Sequence, residues 1–206
     1  MATIFQLPLK APSRLGFERA RRSKSTDLER RGQMNLFSGG TASRILHLQR
    51  NLSPFEEALV LDEKGDHKAA EAYRTAIAQG DSLADAYCNL GILEFQAGQT
   101  SRAIDCFTEA LKHDPRHFES HYNLGNMYFE VGNLRLAKVH YEVVVEIAPT
   151  FPNVYFNLGL VHALNEDFRQ AIDALSKYRE LTTEEEGKKA DELLASLKRL
   201  LSAKRS

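Results

Sequence analysis

Between residues 84 and 183 the apolar positions fall at helical spacing in paired runs. A first run begins near Ala84, Phe118 or Pro152, breaks at a tight turn, and gives way to a second run ending at Lys112, Ile147 or Leu181. The runs are copies of one another. A shift of 34 residues lays Asn89-Leu90-Gly91 on Asn123-Leu124-Gly125 and on Asn157-Leu158-Gly159, and it aligns Phe95 with Phe129, Ala103 with Ala137 and Ala171, and Pro115 with Pro149. A fixed period of this size predicts helix pairs that bury their apolar faces by stacking on their neighbours. Glycine inside a helix is disfavoured by about 1 kcal/mol relative to alanine, so Gly91, Gly125 and Gly159 predict close helix approach. The small residues Ala103, Ala137 and Ala171 are expected opposite them, with Tyr87, Phe107, Tyr128, Tyr141 and Tyr155 filling the larger spaces. Gly98 and Gly132 predict the turn within a pair, and Pro115 and Pro149 the stop after it.

An earlier unit, residues 51–83, keeps Ala69, Tyr73 and Ala76 in register but has Glu57-Ala58 where Leu-Gly recurs elsewhere, as if displaced by one residue. Its start is marked by Ser53, Pro54 and Glu56, which supply a cap, a first-turn proline and a capping-box carboxylate. The last unit has Glu166 in place of the turn glycine and Thr183 in place of the closing proline. Beyond it, Ala190, Leu193, Leu194, Leu197, Leu200 and Leu201 make one apolar stripe, which predicts a capping helix over 184–203.

Composition adds an asymmetry. The 206 residues carry a net charge of −1, yet residues 1–50 hold ten Lys or Arg against three acids, leaving −8 for the remainder. The basic part also holds Pro8, Pro12, Gly16, Gly32, Gly39 and Gly40 and lacks a long amphipathic period. It is expected to be a largely disordered arm over 1–41, since it buries too little apolar surface to offset its ordering entropy. A short helix is expected over 42–49. Cys88 and Cys106, with no CxxC pair, point to a reducing compartment. The start has no signal-peptide pattern and no apolar run is long enough for a membrane span, so a cytoplasmic location is expected.

The 34-residue period, the Leu-Gly pairs, the aromatic and Ala positions and the closing Pro strongly resemble the tetratricopeptide repeat, with good copies at 84–117, 118–151 and 152–183 and a weaker one at 51–83. The resemblance implies an all-α, right-handed α-solenoid of about four helix pairs over 42–206. It further implies a concave face, lined by the first helices, that holds peptides or segments of other proteins. By register that face carries Cys88, Asn89, Ile92, Phe95 and Gln96; Tyr122, Asn123, Asn126, Phe129 and Glu130; and Phe156, Asn157, Leu160 and Leu164. An amide offers both a donor and an acceptor to a peptide backbone, so Asn89, Asn123 and Asn157 are expected to act as a ladder. Phe95, Tyr122, Phe129, Phe156 and Leu160 are the expected apolar anchors. No Lys or Arg occupies these positions, which disfavours a clamp for acidic tails.

Catalytic motifs are missing. There is no phosphate-binding glycine loop, GxSxG or HExxH, and Pro115 separates His113 from His117, so the cluster of His113, His117 and His121 is read as packing or loop histidines. No cofactor, metal or small-molecule substrate is expected, and no catalysis. The leading expectation is a non-enzymatic adaptor that binds a segment of another protein. Ten cations in the arm allow weak, salt-sensitive contact with nucleic acid. The alternative lies in Gln33-Met34-Asn35-Leu36-Phe37, which resembles the pentapeptide by which bacterial proteins bind the replication sliding clamp. There Gln33, Leu36 and Phe37 would make the contacts of a replication or repair accessory.

Overall fold

The computed structural model describes residues 16–21 and 52–203. The expected helix over 42–49 and the pentapeptide Gln33–Phe37 lie outside the described residues. Nine helices and no strand occur among the described residues: α1 Pro54–Glu63, α2 Ala69–Ala78, α3 Leu83–Gln96, α4 Thr100–His113, α5 Phe118–Glu130, α6 Leu134–Ile147, α7 Pro152–Leu164, α8 Phe168–Leu181 and α9 Glu184–Ala203. The contacts divide the chain into two compact units between Cys106 and Phe107. One holds residues 19–106, and the other holds residues 107–206 together with the stretch up to Glu18.

In the unit of residues 19–106, α1 packs on α2 and α2 on α3. Their shared core is Phe55, Ala58, Tyr73, Ala76, Ala86 and Leu90. Ser53 and Glu56 form the expected capping box, with Pro54 in the first turn. The displacement of this first unit is visible in the turns. Gly65 takes the left-handed conformation one residue short of the period leading to Gly98, and α1 and α2 are each 10 residues long against 14 in α3 and α4.

In the unit of residues 107–206, α5 packs on α6, α7 on α8, and α9 on α8. Tyr122, Tyr141, Val144, Val154 and Val161 make one core cluster, and Ala190, Leu194 and Leu197 of α9 join Phe168, Ala171 and Leu175 in another. The cap is therefore built as its stripe predicts. Its start is fixed by Thr183 Oγ1, which donates to Glu186 Oε2 at 2.9 Å while the Thr183 N–H also reaches that carboxylate.

Two of the recurring glycines, Gly125 and Gly159, are points of close approach, but the residue opposite is larger than expected. A Cβ on Gly125 would stand 2.5 Å from Cε1 of Tyr141, and one on Gly159 would stand 2.7 Å from Cγ of Leu175. Ala171 contributes its carbonyl oxygen, at 3.5 Å. The absent methyl thus makes room for an aromatic ring or a leucine, and Ala137 and Ala171 are buried elsewhere in the same pairs. Glu166 takes the glycine's conformation as well as its place. Its φ is 60°, beside 77° at Gly98 and 78° at Gly132. No helix among the described residues is long and apolar enough to cross a membrane.

Candidate peptide-binding site

Asn89 and Asn123 recur in the middle of α3 and α5, where a polar side chain inside an apolar face needs a partner. Both are fully buried, and both find that partner in the main chain of residues 16–21. Asn123 Oδ1 accepts the Glu18 N–H at 2.8 Å, and its Nδ2 donates to the Glu18 carbonyl at 2.9 Å. Asn89 repeats the arrangement on Ala20, with its Oδ1 accepting the N–H at 2.9 Å and its Nδ2 donating to the carbonyl at 3.0 Å. Asn126 Nδ2 donates to the Gly16 carbonyl at 2.8 Å. Residues 16–21 contain no helix, turn or bend. An extended chain presents both main-chain groups of every second residue on one edge; Gly16 and Glu18 are the residues held within the unit of residues 107–206, and Ala20 within the unit of residues 19–106. The expectation of a largely disordered arm therefore does not extend to Gly16–Arg21.

Side chains of the same segment are also engaged, each within its own unit. In the unit of residues 107–206, the Phe17 ring stacks on Phe107 with centroids 6.4 Å apart and planes 11° from parallel. In the unit of residues 19–106, Arg19 reaches Asp62 with both fork nitrogens, Nε to Oδ2 and Nη2 to Oδ1, each at 2.7 Å. Tyr73 Oη donates to the same Oδ2 at 3.1 Å and accepts from Asn89 Nδ2 at 3.2 Å. Burial, and after it the Asp62 charge, pushes the Tyr73 phenol upward, so it stays a donor. The hydrogen bond to Asp62 holds the Arg19 guanidinium above its ordinary value.

The third member of the expected ladder is engaged within the fold. Asn157 Nδ2 donates to Asn126 Oδ1 at 2.9 Å and to Tyr122 Oη at 3.1 Å, and Tyr141 Oη donates to the same Asn126 Oδ1 at 2.8 Å. Burial raises Tyr122 to about 12 and also raises Tyr141, which keeps both phenols protonated in this network. Of the expected anchors, Tyr122, Phe129 and Leu160 belong to the core of their unit, Tyr122 edge-on to Phe151 at 5.0 Å. Phe156 and Phe95 are partly exposed, and Phe156 packs on Tyr178 at 5.2 Å. Ile92 is buried.

His117 and His121 have structural partners. His117 caps α5 by accepting the Ser120 N–H on Nδ1, and His121 Nδ1 lies 3.0 Å from His140 Nδ1, whose ring in turn stacks on Tyr128. Among the described residues no group of three or more His, Cys, Asp or Glu side chains is arranged to hold a metal. Neither cysteine forms a disulfide, and burial raises Cys106 to about 11, which leaves it a thiol.

Asp62, Tyr73 and the segment 16–21 were not expected at this site. Thirty-four residues before Gln96, an inward position, stands Asp62, but the displacement of the first unit leaves Asp62 and Glu63 competing for that place. The ordering of Gly16–Arg21 has no local signature.

Comparison with known proteins agrees with this picture. Two tetratricopeptide repeat family models match residues 84–117 and 106–138. Tetratricopeptide repeat protein 8 of Mus musculus is 28% identical over 97 residues, covering 47% of this chain and 19% of its own length. BBSome complex member BBS4 of Bos taurus is 26% identical over 134 residues, covering 64% and 26%. The chain thus spans about a fifth to a quarter of the length of the curated relatives it matches. Among solved structures, MamA (residues 41 to the end) of Desulfovibrio magneticus RS-1 superposes with a TM-score of 0.56 at 21% identity, over 74% of this chain and 96% of that one. The first TPR domain of Spaghetti (RPAP3) bound to the HSP90 peptide SRMEEVD gives 0.54 at 21%, over 58% and 94%. These structural likenesses establish the fold. With the 34-residue period, the paired helices and the two family matches, this chain is a tetratricopeptide repeat protein.

Proposed function

We propose that the protein is a non-enzymatic adaptor that holds extended stretches of a partner protein through two-way main-chain hydrogen bonds of the kind that Asn89 makes in the unit of residues 19–106 and Asn123, with Asn126 beside it, makes in the unit of residues 107–206. The observation that carries this reading is the two-way pairing of Asn89 with Ala20 and of Asn123 with Glu18. Each amide uses its donor and its acceptor on the main chain of one residue, so the contact is indifferent to the side chain and available to any extended segment. The chain's own residues 16–21 serve as the example of such a ligand. The RPAP3 domain, solved with a peptide, lends the fold a precedent for segment binding. The peptide in that structure is acidic, whereas a carboxylate, Asp62, meets the arginine of the described segment here, which favours a segment that carries a basic residue at that place.

The test uses a labelled peptide of residues 15–22 and the full chain carrying Glu18→Pro and Ala20→Pro, which removes both main-chain donors from the resident segment. Binding is expected to weaken at least tenfold on Asn89→Ala and again on Asn123→Ala, with helicity unchanged. Equal affinity across the series would refute the reading.

A further inference from the structure

Asp62 stands against two ordinary rules. It lies in the last turn of α1, beside Glu63 and with no basic residue in that turn, where the helix dipole disfavours negative charge. Its side chain is also only 3% exposed, and a carboxylate so buried is costly unless it is paired and hydrogen-bonded. Its cationic partner among the described residues comes from outside the helix pairs. Arg19 comes from the arm, 43 residues away in sequence, and meets the carboxylate as a planar fork at 2.7 Å on both oxygens. The guanidinium matches a carboxylate in this way, and an ammonium does not.

The network behind the carboxylate extends to the next residue of the ligand. Tyr73 Oη donates to Asp62 Oδ2, Asn89 Nδ2 donates to Tyr73 Oη, and the same Asn89 amide pairs with both main-chain groups of Ala20. The Ala20 side chain is itself fully buried, so a bulky residue there would have to displace its surroundings. One connected set of buried groups thus reads an arginine side chain, the main chain after it and the size of the following side chain. All of these residues lie in the unit of residues 19–106.

We propose that Asp62, Tyr73 and Asn89 form an arginine-reading site whose ligand is an extended segment with an arginine followed by a small residue, and that Arg19-Ala20 is a built-in occupant displaced by a partner segment of the same pattern. The proposal rests on the main-chain reading above and adds to it a side-chain specificity. It also gives the resident segment a role. While Arg19 fills the site, only a segment that brings its own arginine competes for it on equal terms.

The experiment measures fluorescence anisotropy of the labelled peptide of residues 15–22, LGFERARR, on the full-length wild-type chain and on the full-length chain carrying Arg19→Ala. The Arg19→Ala chain is expected to bind at least tenfold more tightly, because its site is vacant. Peptides with Lys or Ala at the position of Arg19 are expected to bind that chain at least tenfold more weakly. Adding Asp62→Asn, a change of nearly the same shape, should remove the preference for arginine. Equal binding of the Arg, Lys and Ala peptides, or equal binding to the two chains, would overturn the proposal, and the order of the three peptides is measured on the wild-type chain as well, so it does not depend on a variant folding. If Asn89→Ala weakens all three peptides alike while Asp62→Asn changes none, the main-chain reading survives and the arginine site falls. Size-exclusion chromatography of the wild type is expected to show that no dimer depends on the arm. A dimer that Arg19→Ala dissociates would place Arg19 in a second copy and overturn occupancy within one chain.

Discussion

Replacing Arg19 with Ala should release residues 16–21 from the fold, and the structure sets the scale. Five hydrogen bonds from asparagine side chains hold the main chain of the segment, each worth about 1 kcal/mol net. Against them, fixing the backbone of six residues costs about 1–2 kcal/mol apiece. The main-chain bonds alone therefore leave the segment undocked, and the difference is made up by the Phe17 stack, about 1 kcal/mol, and by the charged fork of Arg19, about 1.5–3 kcal/mol for each bond in a well-formed pair. Because the Arg19 side chain is 34% exposed, solvent screening takes the pair below the lower-end sum of about 3 kcal/mol, and its loss is set at about 2 kcal/mol, or roughly thirtyfold in the ratio of docked to released chain. The sequence contains no tryptophan, so Phe17→Trp introduces a single emitter stacked on Phe107. Its emission should be blue-shifted and its anisotropy high in the otherwise wild-type chain. On adding Arg19→Ala the emission should move toward that of the peptide in water and the anisotropy should fall, with the thermal midpoint nearly unchanged because water then reaches Asp62. Identical spectra in the two proteins would refute the argument that the segment is held marginally and that Arg19 tips the balance.

Three further outcomes follow from the packing and the turns. Glu166→Gly should stabilise the protein by about 0.5–1 kcal/mol, seen as a rise of a few degrees in thermal midpoint, because a non-glycine residue at φ 60° carries left-handed strain. Gly159→Ala should destabilise by about 1–3 kcal/mol in chemical denaturation, since its methyl would meet Leu175 Cγ at 2.7 Å, and adding Leu175→Ala should recover little because it opens a cavity. Burial, and after it the neighbouring His121, lowers His140 from the ordinary histidine value of 6.5 to about 4. The unfolded chain therefore takes up this proton first, so stability complete above pH 6.5 should decline as pH falls from about 6.5 to about 4. The loss is on the order of 1–3 kcal/mol, and His140→Phe should flatten that part of the profile.

The helix pairs were legible because each is specified locally and then repeated. Ser53 with Glu56 marks one start, Pro152 another, and the stripe from Ala190 to Leu201 marks the cap. A missing side chain says only that something comes close, which is why Gly125 and Gly159 predict contact without revealing that Tyr141 and Leu175 make it. The asparagines were legible as an array but not in their use. Asn89 and Asn123 pair with a segment, while Asn157 is drawn into hydrogen bonds with Asn126 and Tyr122, a distinction set by neighbours on other helices. Least legible was the segment itself. Residues 16–21 have no period and little apolar surface, and they are ordered by amides 69 and 105 residues away in sequence. Asp62 was hidden for a related reason, since it sits where the first unit slips against the period.

The central claim, that two asparagines hold the main chain of a segment, is tested most directly by amide hydrogen exchange at Glu18 and Ala20 in the full chain. Both N–H groups are predicted to exchange slowly, with Asn123→Ala exposing Glu18, Asn89→Ala exposing Ala20, and the helical amides unchanged. Exchange of both at the rate of an unstructured peptide in the wild-type protein would contradict the account.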